Sequence, residues 1–382
     1  MIANGMSKAE PLRAQGERRE WNNKGPLQVQ FNPFCRRRTY FISGFDPRGV
    51  AHYQGLFKRA LKQRGWRLGR RLPGEQITLW PLEKQGTELA FLHWDDVARA
   101  HWPKHPFSLL RQLLPYGWDY LFRGRLWAAA SLCRGVALCG LYPLVVLAII
   151  FLLGAAAAWL GLQVGPPIGL ILATFLAAMV VWRGWLLADQ LGVVWLSRSI
   201  LFTYRLGEAR DQSLRLRVQM LAQSLLDLER NSPANEILIV GHSSGSFVLA
   251  MLAAELRRRP EAETLLEKLS LLSLGQNLAN LAAYPQADAF RQDLRELAKP
   301  PRLPWLDVTS ADDLLCFAGV NPYKACGMKV PEQSDYPRQQ LLDLRKSRGL
   351  RRRREWLSVL FELHFDYLCD PLSGIDLCGL IA

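Results

Sequence analysis

The 382-residue chain lacks paired cysteines: seven lie scattered at Cys35, Cys133, Cys139, Cys316, Cys326, Cys369 and Cys378, without a CxxC spacing. An odd, dispersed set excludes a disulfide framework and a zinc site, and suits a reducing compartment. Cys133 and Cys139 fall in or beside an apolar region and read as small apolar side chains. Zinc-finger spacing, RNA-recognition aromatics and a long basic helix with a heptad zipper are also absent, which leaves nucleic acid unsupported as a partner. There is no internal repeat and no low-complexity segment. Acidic residues are the scarcer sign, 34 against 48 basic ones, for a net charge of +14. With nucleic acid set aside, that excess points to an anionic membrane surface, with a solvated basic face as the plainer alternative. Met1 to Gly25 are polar and hold no apolar core before a cleavage site, so residues 1–35 are expected to form a flexible tail rather than a cleaved leader.

The longest absence is of charge. From Gly135 to Trp182, 48 consecutive residues include no Asp, Glu, Lys or Arg. About 20 apolar residues cross a bilayer's hydrocarbon core, so the stretch fits two spans and a turn. Gly161-Leu-Gln-Val-Gly-Pro-Pro167 supplies the turn. The spans are placed at about 137–160 and 167–188, within a hairpin segment 126–192. Buried helices of a soluble core normally keep a polar stripe, and neither segment has one. Arg123, Arg125 and Arg134 precede the apolar stretch, Arg183, Arg198 and Arg205 follow it, and the turn has no basic residue. Lys and Arg accumulate on cytoplasmic flanks, so both ends are expected in the cytoplasm. Trp102, Tyr116, Trp118, Tyr120 and Trp127 suit an interfacial belt on a helical approach to the membrane.

Glu236-Ile-Leu-Ile-Val240 reads as a buried strand and runs directly into Gly241-His242-Ser243-Ser244-Gly245. Residues 246–259 follow with a helical apolar pattern, three arginines at its end and Pro260 just beyond. Strand, G-x-S-x-G and helix make the context of a nucleophile elbow, with Ser243 as nucleophile and the Ser244 amide as an oxyanion donor. Of six histidines, only His364 follows this motif, which makes it the candidate general base. Residues 304–310 read as a strand followed by Asp312 and Asp313, a carboxylate pair just past a strand end. Asp313 is favoured as the orienting acid, Asp312 is the alternative, and Asp307 in mid-strand is a third choice. Residues 87–94 read as a further strand and 207–230 as an amphipathic helix. The basic run 345–354 reads as a solvated face, with lipid phosphates as the sharper alternative.

Together these residues resemble the α/β-hydrolase superfamily, and more closely a group of bacterial membrane-anchored hydrolase-like proteins. The resemblance covers about 36–125 and 193–370, with the hairpin interrupting a mostly parallel sheet flanked by helices. It implies a first part of the hydrolase domain at 36–125 and a second part at 193–382. The segment Gly44-Phe45-Asp46-Pro47-Arg48-Gly49, after a strand at 38–43, resembles the His-Gly turn of lipases and esterases, with Ser43 in the histidine's place. It makes the Phe45 amide the second oxyanion donor. The implied protein is an esterase- or lipase-like enzyme of the bacterial inner membrane, its termini and catalytic domain cytoplasmic. It cleaves an ester or thioester through a Ser-His-Asp triad, without metal or organic cofactor, and an acyl lipid is the natural substrate guess. An inactive hydrolase-fold scaffold or partner-binding protein, and an acyltransferase using the same triad, remain as alternatives.

Overall fold

The computed structural model describes residues 36–62, 65–83, 86–210, 212–329, 336–350, 359 and 361–369. The expected tail at 1–35 and the Arg351–Arg354 end of the basic run lie outside the described residues. Seven strands form one sheet: β1 (Arg37–Ile42), β2 (Ile77–Pro81), β3 (Thr87–Leu92), β4 (Glu236–His242), β5 (Leu269–Leu274), β6 (Trp305–Ser310) and β7 (Arg338–Leu342). Their spatial order is β2-β3-β1-β4-β5-β6-β7. All pairings are parallel except β2 with β3.

The helices that matter for position are α1 (Gly49–Lys62), α2 (Asp95–Ala100), α3 (Pro106–Phe122), α4 (Arg125–Leu132), α5 (Arg134–Leu162), α6 (Ile168–Gln190), α7 (Val193–Gly207), α8 (Ser213–Asn231) and α9 (Gly245–Arg257). Period-two alternation divides each central strand between two cores. Phe41, Leu238, Val240, Leu272, Leu274 and Val308 meet Tyr53 and Phe57 of α1 and Leu363 and Tyr367 near the C-terminus. Tyr40, Ile42, Ile237, Ile239 and Leu271 meet Leu221 and Leu225 of α8, Phe247 and Leu252 of α9, and Leu294 of the helix Asp288–Ala298. The chain is therefore α/β, with a mostly parallel sheet covered on both faces.

The apolar stretch forms two long helices, α5, several residues longer than its expected span, and α6, which nearly matches its own. Arg183, the first charged residue after the apolar stretch, lies inside α6 as it does inside the expected span 167–188. The pair approaches closely: a side chain on Gly161 would come within 2.5 Å of the Ala173 Cα. Yet only 22% of the most apolar window of α5 and 6% of that of α6 is buried.

Two expectations need correction. The helix expected at 207–230 is two elements: α7 ends at Gly207, Ala209 takes a left-handed φ of 53°, and α8 begins at Ser213. Left-handed backbone at a non-glycine residue cannot continue an α-helix. Tyr116 and Tyr120 are buried rather than interfacial. One turn apart on α3, they donate hydrogen bonds to the Gly140 (3.1 Å) and Ala137 (2.8 Å) carbonyls of α5 and dock that helix on the sheet domain. Trp118 and Trp127 do stand exposed.

Candidate active site

Three chain segments converge at the C-terminal ends of β1, β4, β5 and β6. The first is the β4–α9 turn. Ser243 is held there at φ 56°, a left-handed conformation that costs an L-residue on the order of 1–2 kcal/mol. Neighbouring hydrogen bonds hold it in place: its amide donates to Leu274 O at 2.9 Å, and its carbonyl accepts from Ser246 Oγ at 2.6 Å. The motif's last glycine answers to proximity, since a Cβ on Gly245 would stand 2.6 Å from the Ile42 carbonyl oxygen.

The second segment is the turn after β1. Gly44 lies against the serine, where an added Cβ would meet Ser243 Cβ at 3.0 Å and Oγ at 3.5 Å. Phe45 anchors the turn: its ring is buried, stacks on Phe202 with centroids 4.5 Å apart, and lies 5.4 Å from Trp102. Among the described residues, the amides of Phe45 and Ser244 donate no hydrogen bond.

The third segment brings the histidine. His364 sits in the short helix Leu363–Cys369, and its Nδ1 lies 2.7 Å from Asp313 Oδ2. Both side chains are buried. Asp313 also accepts from the Leu315 amide at 2.9 Å and from the Tyr367 hydroxyl at 3.1 Å. Burial alone would raise its carboxyl, but the His364 charge and hydrogen bond, with help from Leu315 and Cys316, hold it below the usual range. A carboxylate can only accept, so His364 Nδ1 carries the proton and a neutral ring has a bare Nε2. That buried Nε2 has no partner among the described residues. His364 and Ser243 line the same cavity.

Of the three carboxylates weighed from sequence, only Asp313 meets His364. The carboxylate of Asp312 faces away, accepting the Arg345 amide at 3.1 Å. Asp307 is fully buried and accepts from Ser273 Oγ at 2.7 Å across to β5. Burial pushes its carboxyl up to about 7, the opposite of what a permanently ionised orienting acid needs.

Two contributors escaped the sequence reading. His242 lies inside the motif, but its role is set by a residue far along the chain: Nε2 donates to the His364 carbonyl at 2.7 Å, and the two rings are 4.9 Å apart. Burial first, and the neighbouring His364 second, depress its pKa to about 3, so it is a neutral ring fixing the backbone of the other histidine. Tyr367 shares a helix face with His364 at i+3, a spacing that signals the contact once the helix is known.

Helices α3, α5 and α7 also contribute to the cavity. Val136, Cys139 and Gly140 of α5, Trp195, Ser199 and Ile200 of α7, and Tyr116 and Tyr120 of α3 line it. Searches of protein-family models, curated proteins and solved structures return no match to this chain.

Proposed function

We propose that this protein is a membrane-anchored serine hydrolase of the α/β-hydrolase type that cleaves an ester or thioester through Ser243, His364 and Asp313. One conjunction carries the reading. A serine held at φ 56° on a strand-to-helix turn shares a cavity with a buried histidine whose Nδ1 is committed to Asp313 and whose Nε2 is unpartnered among the described residues. The sheet order, with its single antiparallel strand pair at one edge, and the sequence Ser243, Asp313, His364 along the chain agree with that fold.

In the proposed reaction, His364 Nε2 takes the hydroxyl proton while Ser243 Oγ bonds to the acyl carbon. The Ser244 and Phe45 amides receive the oxyanion. The leaving alcohol or thiol departs with the proton from His364. Water, deprotonated by the same nitrogen, then attacks the acyl-serine and releases the carboxylic acid and the enzyme. Asp313 stays ionised throughout and stabilises the transient imidazolium.

The anchor in this proposal is the α5–α6 pair, inserted as a transmembrane hairpin. Two helices with so little of their apolar surface buried would be an aggregation liability in water. Arg123, Arg125 and Arg134 before the pair and Arg198 and Arg205 after it favour a cytoplasmic site at the inner face of a bacterial membrane. Arg183, seven residues from the end of α6, is within snorkelling reach of that interface.

The test is fluorophosphonate labelling of membranes that contain the protein. Labelling of the wild type and its loss in both Ser243→Ala and His364→Ala is the expected result. Labelling that survives Ser243→Ala removes the nucleophile assignment.

A further inference from the structure

The cavity beside Ser243 carries a composition that the hydrolase reading does not require. Among the described residues, its lining includes no Asp, Glu, Lys or Arg. Arg125 stands near the rim, 4.4 Å over the Tyr284 ring, but Glu208 is its ion-pair partner and takes up its charge. An anionic group entering here would lose its water without gaining a cation, a strongly unfavourable exchange.

Polar character comes instead from uncharged groups, the Ser199, Thr203 and tyrosine hydroxyls and two carboxamides. Asn277 and Asn280 both line the cavity, one helical turn apart around the short helix Leu278–Ala282. Asn277 occupies the N-cap position, where asparagine usually bonds a free amide of the first turn, yet its side chain makes no cap hydrogen bond. Its backbone amide is tied at 3.3 Å to Ser246 Oγ, which places the residue beside the serine turn. Neither carboxamide has a side-chain partner among the described residues. Each offers both donor and acceptor atoms, the complement of an alcohol hydroxyl.

Apolar lining comes from Val136 and Gly140 of α5, itself the first helix of the candidate membrane hairpin, and from Leu196 and Ile200 of α7. Resting on the hydrolase reading, we propose that the substrate is a neutral, bilayer-resident acyl ester of a hydroxyl-bearing alcohol. Its chain lies along α5 and α7, and its free hydroxyls are read by Asn277 and Asn280. Hydrolysis then yields a fatty acid and an uncharged polyol.

The experiment uses the full-length protein in phosphatidylcholine nanodiscs, with one acyl chain presented three ways: as a monoacylglycerol, a lysophosphatidylglycerol and a methyl ester. The expected wild-type kcat/KM favours monoacylglycerol over lysophosphatidylglycerol by at least about tenfold. In an Asn277→Leu/Asn280→Leu variant, the ratio of monoacylglycerol to methyl ester turnover falls about tenfold. A merely damaged fold lowers both activities and leaves that ratio standing. An unchanged ratio, or preference for the anionic ester, overturns the proposal. Wild type that reacts with a fluorophosphonate but cleaves none of the three overturns the substrate class while the hydrolase reading stands. Wild type that does not react overturns both.

Discussion

Replacing His242 with glutamine should flatten the acid limb of this protein's stability curve. The imidazole is buried, and its folded pKa of about 3 lies far below the ordinary value near 6.5. Below pH 6.5 the unfolded chain binds a proton at this site that the folded chain refuses, so stability falls as the pH falls. It is flat above pH 6.5, and the loss is complete only below the folded pKa. With these two values, the single group removes on the order of 1 kcal/mol by pH 5.5 and on the order of 2–3 kcal/mol by pH 4.5. Glutamine does not titrate but retains an N–H donor for the His364 carbonyl, which separates loss of the proton site from loss of the hydrogen bond. The assay is urea unfolding of detergent-solubilised wild type and His242→Gln, followed by tryptophan fluorescence at pH 7.5, 6.5, 5.5 and 4.5. Groups away from His242 contribute equally to both proteins, so the difference between the two curves reads His242 and its coupling to His364. It should change by on the order of 2–3 kcal/mol from pH 7.5 to 4.5. Parallel curves would refute the claim that His242 is held neutral against its surroundings.

Further outcomes follow from the proposed triad. Asp313→Asn should lower kcat by about 10³–10⁴-fold because it disturbs the His364 tautomer and removes the charge beside the imidazolium. Asp312→Asn, on a carboxylate turned to Arg345, should leave kcat within about twofold, and steady-state ester hydrolysis by the two variants compares them directly. Ser243→Gly should be more stable than Ser243→Ala by about 1 kcal/mol in urea unfolding, because glycine accepts φ 56° without the Cβ clash. Equal stability of these two variants would mean that the serine's backbone is not strained.

Much of this architecture is legible in the chain because local pattern and tertiary demand agree. The apolar run of β4 ends in two glycines flanking a serine, and each glycine is required by a nearby backbone. His364 is picked out by chain order alone, since no other histidine lies beyond the motif. The choice between Asp312 and Asp313 depends on the turn after β6, which sends adjacent side chains in different directions, and no spacing rule resolves that. β7, Arg-Gln-Gln-Leu-Leu, has neither β-branched residues nor alternation, as an edge strand paired only to β6 permits. Tyr116 and Tyr120 mimic a membrane belt in composition. Their i, i+4 spacing serves instead to place both hydroxyls on carbonyls of α5.

The position of β1 between β3 and β4 has a consequence for biosynthesis. Arg37 pairs with Glu236, so the middle of the sheet joins segments about two hundred residues apart, with α5 and α6 between them in the chain. At about 5–20 residues per second, a ribosome needs roughly 10–40 s to deliver β4 after β1. Within that interval β3 and then the apolar pair are synthesised, and until β4 emerges β1 has β3 on one side and an open edge on the other. The centre of the sheet can close only after the two long helices have emerged. Commitment of the apolar pair to its environment therefore comes before the serine turn exists, and the two ends of the loop so formed are what β4 finally brings into register.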